Sequence, residues 1–479
     1  MDNTILQLLG ITDSDLQIVG QTIKYDERIV VLQKKLVPVY CPECGARMYS
    51  RGIYVRTINH PVIQGIGHLT LKVRERKWRC PSCRHMETDH FHFLEPYKQS
   101  TSLTPLMIIN EMKDINMSAA EVARQYNVSD TYVHTVFMQY VSLPRLPLTD
   151  IISVDEVYMA FNHQDRYAMV IMDFRTGQII DILPNRNKET TEEYFRSISK
   201  TERYGVKYIV SDMYNPYLNY PRTFFPNAVS IVDSFHVVQW INRKIISYIN
   251  HVKKRYQKRD LKKLEEENRK TNRDYQTRKD SREVYILKNF RWVLLEDVDH
   301  IHYSYKRIYS KRLNEYLDTY QRENIFMSLD DSFPLIRSEK EKYIEFNQTY
   351  VGKPEEADPA LAALIKEYRQ STLKMFREFA DLLSTYAKPI TASFTTISKK
   401  NVDQEKDVII RLSNGPMESF NNKPKDYKKE SNGVKNFEYT RNRILWATRQ
   451  SPSILAVPKE EKEVHTYTGA KRGSYRKHN

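Results

Sequence analysis

Three acidic residues that lie far apart in the sequence each occupy a context that could bring them together. Asp155 lies in an apolar run that predicts a buried strand, and Asp212 ends a second such run. Glu418 follows an Asn-Gly-Pro turn signal that leads into a predicted helix. Two aspartates at strand ends and a helical glutamate can hold two divalent cations. Such a pair activates a water or hydroxyl and stabilises the leaving oxygen in phosphodiester cleavage.

Asp155 has an acidic neighbour, Glu156, and only one of them can join a given metal site. Neighbours on a strand point to opposite faces. We expect Asp155 to face the site, because Val154 and Glu156 share the other face. Asp212 follows the predicted strand Tyr208–Ser211, and the carboxyl end of a strand is a common place for active sites in α/β sheets. Each acid taken singly is typical of a solvated surface, so the prediction depends on the three together.

All four cysteines of the chain lie in one segment, as two Cys-x-x-Cys pairs. They are Cys41, Cys44, Cys80 and Cys83. Each tight turn aims two thiolates at one point, so two turns complete a tetrahedral site for a structural zinc ion. Because four thiolates fill the site, this zinc is not expected to be catalytic. A dithiol redox centre is the alternative, although no thioredoxin-like pattern surrounds the cysteines.

A helix-turn-helix pattern follows the cysteine segment. Ser118 can cap a helix in which Glu121 completes a capping box, and Asn127 tolerates the left-handed conformation that the turn demands. The first turns of the next helix would enter a major groove of DNA. The predicted DNA-contacting residues are Asp130, Thr131, Tyr132, His134 and Thr135. A plain helical hairpin is the alternative.

The composition favours a polyanionic partner. The chain has 479 residues, with 75 Lys and Arg against 60 Asp and Glu, which gives a formal net charge of +15. Nucleic acid is the first candidate partner for such a balance, and a basic protein without a polyanion partner is the alternative. No secretory signal or apolar stretch of membrane length is visible. We therefore expect a cytoplasmic, nucleoid-associated protein with no membrane contact.

The segment from 150 to about 240 predicts an RNase H-like core, since its order is three strands, helix, strand, helix, strand, helix. The predicted elements are strands Ile151–Tyr158, Tyr167–Phe174, Gln178–Leu183, Tyr208–Ser211 and Ala228–Val232, and a helix at Lys188–Ser199. The block from 241 to 410 has few glycines and long charged stretches, which predicts a mostly helical insertion. The predicted fold class is multidomain α/β, with a mixed sheet in the catalytic core.

The predicted domains follow from these patterns. They are an N-terminal cap at 1–37, a zinc ribbon at 38–97, a helix-turn-helix domain at 98–143, the first part of the catalytic core at 150–240, the helical insertion at 241–410, the last part of the core with the glutamate helix at 411–452, and a basic tail at 453–479. The tail is polar and is expected to be disordered.

The motifs resemble those of a known family, the bacterial insertion-sequence transposases of the ISL-three (ISL3) type. Besides the cysteine pairs and the helix-turn-helix, the resemblance rests on Ser153–Glu156, Ser211–Tyr217, Val232–Val238 and Ser413–Lys425. It implies a DDE transposase whose triad is Asp155, Asp212 and Glu418, with Mg²⁺ or Mn²⁺ as the working metal. It also implies double-stranded DNA as partner, as terminal inverted repeats and as target. Because two ends must be brought together, a homodimer or larger assembly is expected.

Asp233 and His236 form a second polar pair, after the fifth predicted strand. They lie about one helical turn apart, so both can face the metal site. The resemblance implies a role near the scissile phosphate. A capping aspartate with a packed histidine is the alternative.

The chain departs from the commoner family pattern where Pro424 stands in the place of an isoleucine. A proline six residues beyond Glu418 predicts that this helix ends or kinks there. Several residues on or near this helix are predicted to contact DNA phosphates, with capping and plain surface charge as alternatives. They are Arg411, Asn421, Asn422, Lys423, Lys425, Arg441 and Arg443.

Two other functions stay open on the sequence. A regulator derived from a transposase would bind the repeats without cleaving them, although the intact acidic trio argues against it. A structure-specific nuclease would cut without strand transfer, and joined products would discriminate against it.

Overall fold

The computed structural model describes residues 6, 7, 9–24, 27–61, 68–161, 166–272, 280–400, 407–431 and 436–464. These residues form a mixed α/β structure with several sheets, as expected. Most of the expected basic tail, from 465 to 479, lies outside the described residues. Within the described ranges, no helix has the length and apolar character that crossing a membrane requires.

The N-terminal sheet joins strands from two of the predicted segments. Its strands are β1 (Leu16–Ile23), β2 (Glu27–Lys34), β3 (Tyr49–His60), β4 (His68–Arg79) and β5 (Met86–Thr88). The order is β1-β2-β4-β3, and β5 pairs with β4. Because β2 and β4 pair in parallel, one sheet spans the expected boundary between residues 37 and 38.

Three short helices follow: α1 (Leu103–Glu111), α2 (Ala119–Tyr126) and α3 (Asp130–Tyr140). The predicted capping box is present at the start of α2, where Ser118 and Glu121 each accept from the other's main-chain N–H. Asn127 ends α2 with φ of 50°, and the Ser129 side chain caps α3. Local sequence signals therefore define this helix-turn-helix geometry.

The central sheet has the order β10-β9-β6-β7-β8. Its strands are β6 (Ile151–Tyr158), β7 (Tyr167–Asp173), β8 (Ile179–Leu183), β9 (Tyr208–Ser211) and β10 (Val229–Val232). Strands β6, β7 and β8 pair antiparallel, whereas β6, β9 and β10 pair parallel. The five predicted strands are thus present, with ends that shift by one residue at most.

Four helices connect the strands of this sheet: α4 (Lys188–Ser197), α5 (Lys200–Tyr204), α6 (Asn215–Leu218) and α7 (Tyr220–Thr223). Phe195 and Tyr217 pack with Val154 in one buried cluster on a face of the sheet. The aromatic side chains of this cluster fix the helices against β6.

The predicted insertion is mostly helical. Its elements are α8 (Ser234–Thr271), α9 (Arg282–Asn289), α10 (Trp292–Leu295), a 3₁₀ turn at Val298–His300, β11 (Ile308–Ser310), β12 (Glu315–Leu317), α11 (Thr319–Met327), α12 (Phe333–Thr349), α13 (Pro354–Arg369), α14 (Lys374–Thr385), α15 (Ala387–Ala392), β13 (Thr396–Lys400) and β14 (Asp407–Arg411). The long helix α8 buries an apolar stripe against the other helices of the insertion. Tyr343 and Phe379 are among the side chains that these helices contribute to the shared core.

The last elements of the described residues are α16 (Gly415–Glu430), α17 (Phe437–Thr448) and α18 (Glu461–Val464). The prediction that Pro424 ends or kinks the first of these is wrong about its length, because α16 continues through the proline to Glu430. Pro424 lies on the buried face, in helical spacing with Met417, Phe420 and Tyr427. Packing of that face outweighs the one backbone hydrogen bond that proline cannot make.

Candidate active site and cysteine cluster

Three aspartates lie side by side where the parallel pairing of three adjacent strands ends. The β6–β9 ladder ends two residues before Asp155 and Asp212. The β9–β10 ladder ends one residue before Asp212 and Asp233. Neighbouring strands are about 4.8 Å apart, so Asp155 and Asp233 flank Asp212 on either side.

Asp155 is half-buried beneath α16 and is held by two donors. Its Oδ1 accepts from the Glu156 main-chain N–H at 2.8 Å, and its Oδ2 accepts from Asn421 Nδ2 at 2.8 Å. Burial raises the pKa of Asp155 to about 6, and the negative charge of Asp212 adds to the effect, whereas His236 opposes it. A divalent cation at this position would offset the repulsion between the carboxylates.

Glu156 points to the opposite face of β6, as the alternation of side chains requires. It accepts a hydrogen bond from Tyr217 Oη at 3.1 Å and forms an ion pair with Arg186. The carboxylate of Glu156 is therefore engaged within the core, away from Asp155.

Glu418 lies in the first turn of α16 and faces the start of α8. Its Oε1 is 4.0 Å from His236 Nε2. The metal-ligating atoms of Asp233, His236 and Glu418 all lie within 4.8 Å of one another, and Asp155 and Asp212 are outside that group. The Glu418 side chain is 42% exposed, so the site is open on this side.

Asp233 joins the two helices that carry His236 and Glu418. One carboxylate oxygen accepts from the Phe235 main-chain N–H and caps α8. The other accepts from the main-chain N–H of Asn414, which directly precedes α16. Both oxygens of Asp233 thus have main-chain donors at 3.1 Å, so this residue positions the site.

Several buried polar atoms beside the carboxylates have no hydrogen-bond partner among the described residues. They are Nε2 of His236, both side-chain amide atoms of Asn414, and Oδ1 of Asn421. Such groups are rare in native proteins unless a ligand, ion or water completes them. Oxygen and imidazole donors at an open edge are also the set that divalent cations use.

Three arginines expected to contact phosphates have internal partners instead. Arg411 is bonded to oxygens of the insertion and stacks on the Phe394 ring. Arg441 forms an ion pair with Asp181 at 2.6 Å. Arg443 is fully buried and donates to two main-chain carbonyls before α2. Arg411 and Arg441 are half-buried, and Nε and Nη1 of Arg443 have no hydrogen-bond partner among the described residues. The contacts that the three guanidinium groups make here are within the protein, and their phosphate contacts stay predictions.

The exposed face of α16 keeps three predicted DNA contacts available. Asn422, Lys423 and Lys425 are exposed, whereas Asn421 is buried against Asp155. The prediction that Asn421 contacts phosphates is therefore corrected. Its side chain belongs to the carboxylate site.

Helix α3 exposes only part of the surface predicted to contact DNA. Asp130, Thr131 and His134 are exposed and line a cavity of about 750 Å³ between α3, α16 and α17. Thr135 is buried and donates to the Thr131 carbonyl, and Tyr132 is half-buried with its hydroxyl 2.7 Å from Ser100 Oγ. Thr135 is thus corrected to an internal residue, because its side chain turns back onto its own helix.

The four cysteines converge at one point between two turns. The Cys41–Cys83 and Cys44–Cys80 sulfurs are 3.4 Å apart, and the Cys44–Cys83 sulfurs are 3.6 Å apart. Tetrahedral zinc with bonds of about 2.3 Å would separate its sulfurs by about 3.8 Å. The Cys83 main-chain N–H points to Cys80 Sγ and is the main cause that lowers the pKa of Cys80 to about 6.

A transposase family matches residues 152–444, which is more than half of the chain. The chain belongs to the ISL3 family of transposases. This confirms the resemblance drawn from the motifs. The matched range includes the five predicted catalytic residues, which are Asp155, Asp212, Asp233, His236 and Glu418. The four cysteines lie before it.

The chain is also similar to the transposase for insertion sequence element IS1001 of Bordetella parapertussis. The two are 25% identical over 289 residues, which cover 59% of this chain and 63% of that relative. The match therefore spans less than two thirds of the relative's length.

Two positioning contacts of this ISL3-family chain were missed by the sequence reasoning. Asn421 holds Asp155, and the main chain at Asn414 holds Asp233. The first had a usable signal, because Asn421 lies three residues after Glu418 and so shares its helix face. The second is a contact between distant loops and left no signal in the sequence.

Proposed function

We propose that this protein is a DDE transposase that binds the terminal inverted repeats of an insertion sequence and catalyses metal-dependent strand cleavage and strand transfer. The proposal includes an RNase H-like catalytic core. The order β10-β9-β6-β7-β8, antiparallel on one side of β6 and parallel on the other, supports it. Family membership supports the activity class.

The observation that carries the proposal is the convergence of distant carboxylates at one sheet edge. Asp155, Asp212 and Asp233 come from three neighbouring strands, and α16 brings Asn421 to Asp155 and Glu418 to within 4.8 Å of Asp233 and His236. Burying like charges together is unfavourable unless something positive offsets them. A fold that places them side by side is therefore typical of a catalytic metal site.

The residues present fit Mg²⁺ or Mn²⁺. Asp155, Asp212 and Glu418 would hold the ions. When bound, such ions supply activation of the attacking oxygen and stabilisation of the leaving oxygen. Asn421 holds the Asp155 carboxylate in place, and Asp233 fixes the starts of α8 and α16. His236 faces Glu418, and in this proposal it contacts the scissile phosphate.

The cysteine cluster fits a structural zinc ion. Four thiols whose sulfurs already lie near tetrahedral spacing leave no open coordination position for a substrate. Zinc would tie the turn before β3 to the turn after β4, and so would fix the N-terminal sheet.

Double-stranded DNA is the proposed partner. The charge of +15, the helix-turn-helix and the exposed Asn422, Lys423 and Lys425 on the active-site helix support it. In this proposal the N-terminal modules recognise the repeats, and a homodimer or larger assembly in the cytoplasm brings two ends together.

The test is cleavage of a plasmid carrying the element's ends in the presence of Mg²⁺. We expect wild-type protein to cut at the ends, and Asp155→Asn and Glu418→Gln to lose at least about a hundredfold in rate while keeping repeat binding. Asp426→Asn, an exposed acid on the same helix as Glu418, is the matched control and should cut normally.

Cleavage that survives both substitutions would place the catalytic site elsewhere. Repeat binding without cleavage by any form would favour a DNA-binding regulator. Cleavage without joined products would favour a nuclease.

A further inference from the structure

A surface segment of the helical insertion combines aromatic rings with cations. Residues 302–314, around β11, contain four Lys or Arg residues and no Asp or Glu. Three tyrosines lie in this segment, and two more, Tyr316 and Tyr320, follow it closely. None of these groups takes part in the carboxylate site or the cysteine cluster.

Three of these tyrosines form a stack, which we call the tyrosine platform: Tyr303, Tyr320 and Tyr305. The Tyr320 ring lies between the other two, with centroids 4.8 Å from each and interplanar angles of 27° and 25°. Near-parallel rings at this spacing present flat faces in one direction.

One end of the platform is anchored and the other is open. The Tyr303 hydroxyl donates to Glu323 at 2.6 Å and accepts from Arg337 at 2.8 Å, and Arg337 pairs with Glu323. Tyr305, at the other end, is 80% exposed. The platform is therefore held rigidly from below and exposes a large aromatic surface to solvent.

Cations and a second ring pair surround the open end. Lys306 and Arg307 directly follow Tyr305 and are exposed, and Arg307 has only a distant contact, 3.9 Å, to Asp318. On the neighbouring hairpin, Tyr309 and Tyr316 lie opposite each other with ring centroids 5.0 Å apart. Packing within the chain leaves much of these rings exposed to solvent.

We propose that the tyrosine platform binds the unpaired bases of a DNA strand by stacking on Tyr305, while Lys306 and Arg307 bind its phosphates. Aromatic faces interleaved with cations are how single-stranded nucleic acid is held without sequence preference. The inference rests on the proposed function, since a strand end freed by cleavage presents unpaired bases once it separates from its complement. It adds a separate binding surface within the insertion.

The experiment measures binding of a fluorescein-labelled oligo(dT) of about 12 nucleotides to full-length protein by anisotropy, in buffer without magnesium. We expect Tyr305→Ala to weaken binding at least about fivefold, and Tyr305→Phe, which keeps the ring, to bind like wild type. Lys306→Gln combined with Arg307→Gln should lower the slope of log affinity against log salt by about 1.4, since each phosphate contact on a single strand contributes about 0.7.

Tyr204→Ala is the matched control, because Tyr204 is an exposed tyrosine on the catalytic core, outside the platform. A blunt duplex of about 20 base pairs tests the choice of ligand and should bind wild type and Tyr305→Ala equally. Equal oligo(dT) binding by Tyr305→Ala, Tyr204→Ala and wild type would overturn the inference. A change in oligomeric state with oligo(dT) binding intact would also overturn it and would assign the platform to a protein contact.

The oligo(dT) binding test and the cleavage test can fail independently of each other. If wild-type protein fails to cut, yet Tyr305→Ala still loses oligo(dT) binding, the proposed function fails and the binding site stands. If the protein cuts and Tyr305 has no effect on oligo(dT) binding, the binding site fails alone.

Discussion

The cysteine cluster and the carboxylate cluster are built in opposite ways. The cysteines come from two short turns, and their sulfurs meet at 3.4–3.6 Å. The carboxylates come from three strand ends and a helix start spread between positions 155 and 418. The cysteine set is complete with four ligands, whereas the carboxylate set is half-open at Glu418 and surrounded by buried atoms that lack partners.

The difference shows how each site relates to folding. A closed thiolate site adds its binding free energy to the stability of the strands it joins. An open carboxylate site brings together negative charges that repel one another. The fold must hold these carboxylates in place by contacts such as the hydrogen bond from Asn421 to Asp155. The first site stabilises its region, and the second depends on stability supplied by the rest of the core.

The largest expected effect follows from removing one thiolate. Cys80→Ser should release the metal and lower the free energy of unfolding of the N-terminal region by more than about 3 kcal/mol, since structural zinc contributes about 10 kcal/mol or more in small domains. Zinc content by mass spectrometry and thermal melts with and without chelator measure it. Ser82→Ala, in the same turn but not a ligand, should keep one zinc per chain. Wild-type protein that contains no zinc after purification would contradict the structural zinc site, and with it the contrast between the two clusters.

The next effect tests whether acid weakens the N-terminal region. His60 is 5% exposed, contacts Thr101 Oγ1 at 2.9 Å, and burial lowers its pKa to about 4. Between pH 4 and about 6.5 the unfolded chain binds a proton that the folded chain does not, so stability falls as pH falls. We expect a loss of about 2 kcal/mol between about pH 7.5 and about pH 5.

Urea unfolding followed by circular dichroism measures this loss, with His60→Gln as the comparison. The variant should show a flatter dependence on pH over that window, with the remaining slope due to thiolate protonation. Identical slopes for both proteins would mean that His60 does not titrate as its burial requires.

The smallest expected effect concerns how the carboxylate site is held. Asn421→Ala removes a side-chain donor from Asp155, and should raise the Mg²⁺ concentration for half-maximal cleavage by about fivefold to tenfold. Asn422→Ala, one position along on the exposed face, should leave it unchanged. An equal shift in both variants would indicate a general effect on α16, and no shift in either would remove Asn421 from the site.

Local signals in the sequence were enough for much of the fold. The alternation and apolar runs gave the five strands of the central sheet, and the capping residues Ser118 and Asn127 defined the helix-turn-helix. These features depend on contacts between residues a few positions apart, which is the range over which side-chain spacing carries information.

Contacts between distant segments were not accessible in the same way. Arg441 and Arg443 look like surface cations in the sequence, and only the packing of α17 against the core shows that they bind acceptors within the protein. Pro424 looks like a helix end until the buried face of α16 is known. In each case the tertiary environment overrides a local preference that is weaker than the packing.

The sequence by itself determined which residue types converge: four cysteines in two tight turns, and acids placed at the ends of predicted strands and at the start of a helix. Only the tertiary structure decided how they meet. The parallel register of β6, β9 and β10 places three aspartates side by side. The hydrogen bonds of Asp233 to the starts of α8 and α16 hold Glu418 beside His236. Register joins residues that are tens of positions apart, long-range hydrogen bonds in the site join residues up to 266 positions apart, and no local pattern encodes such pairings.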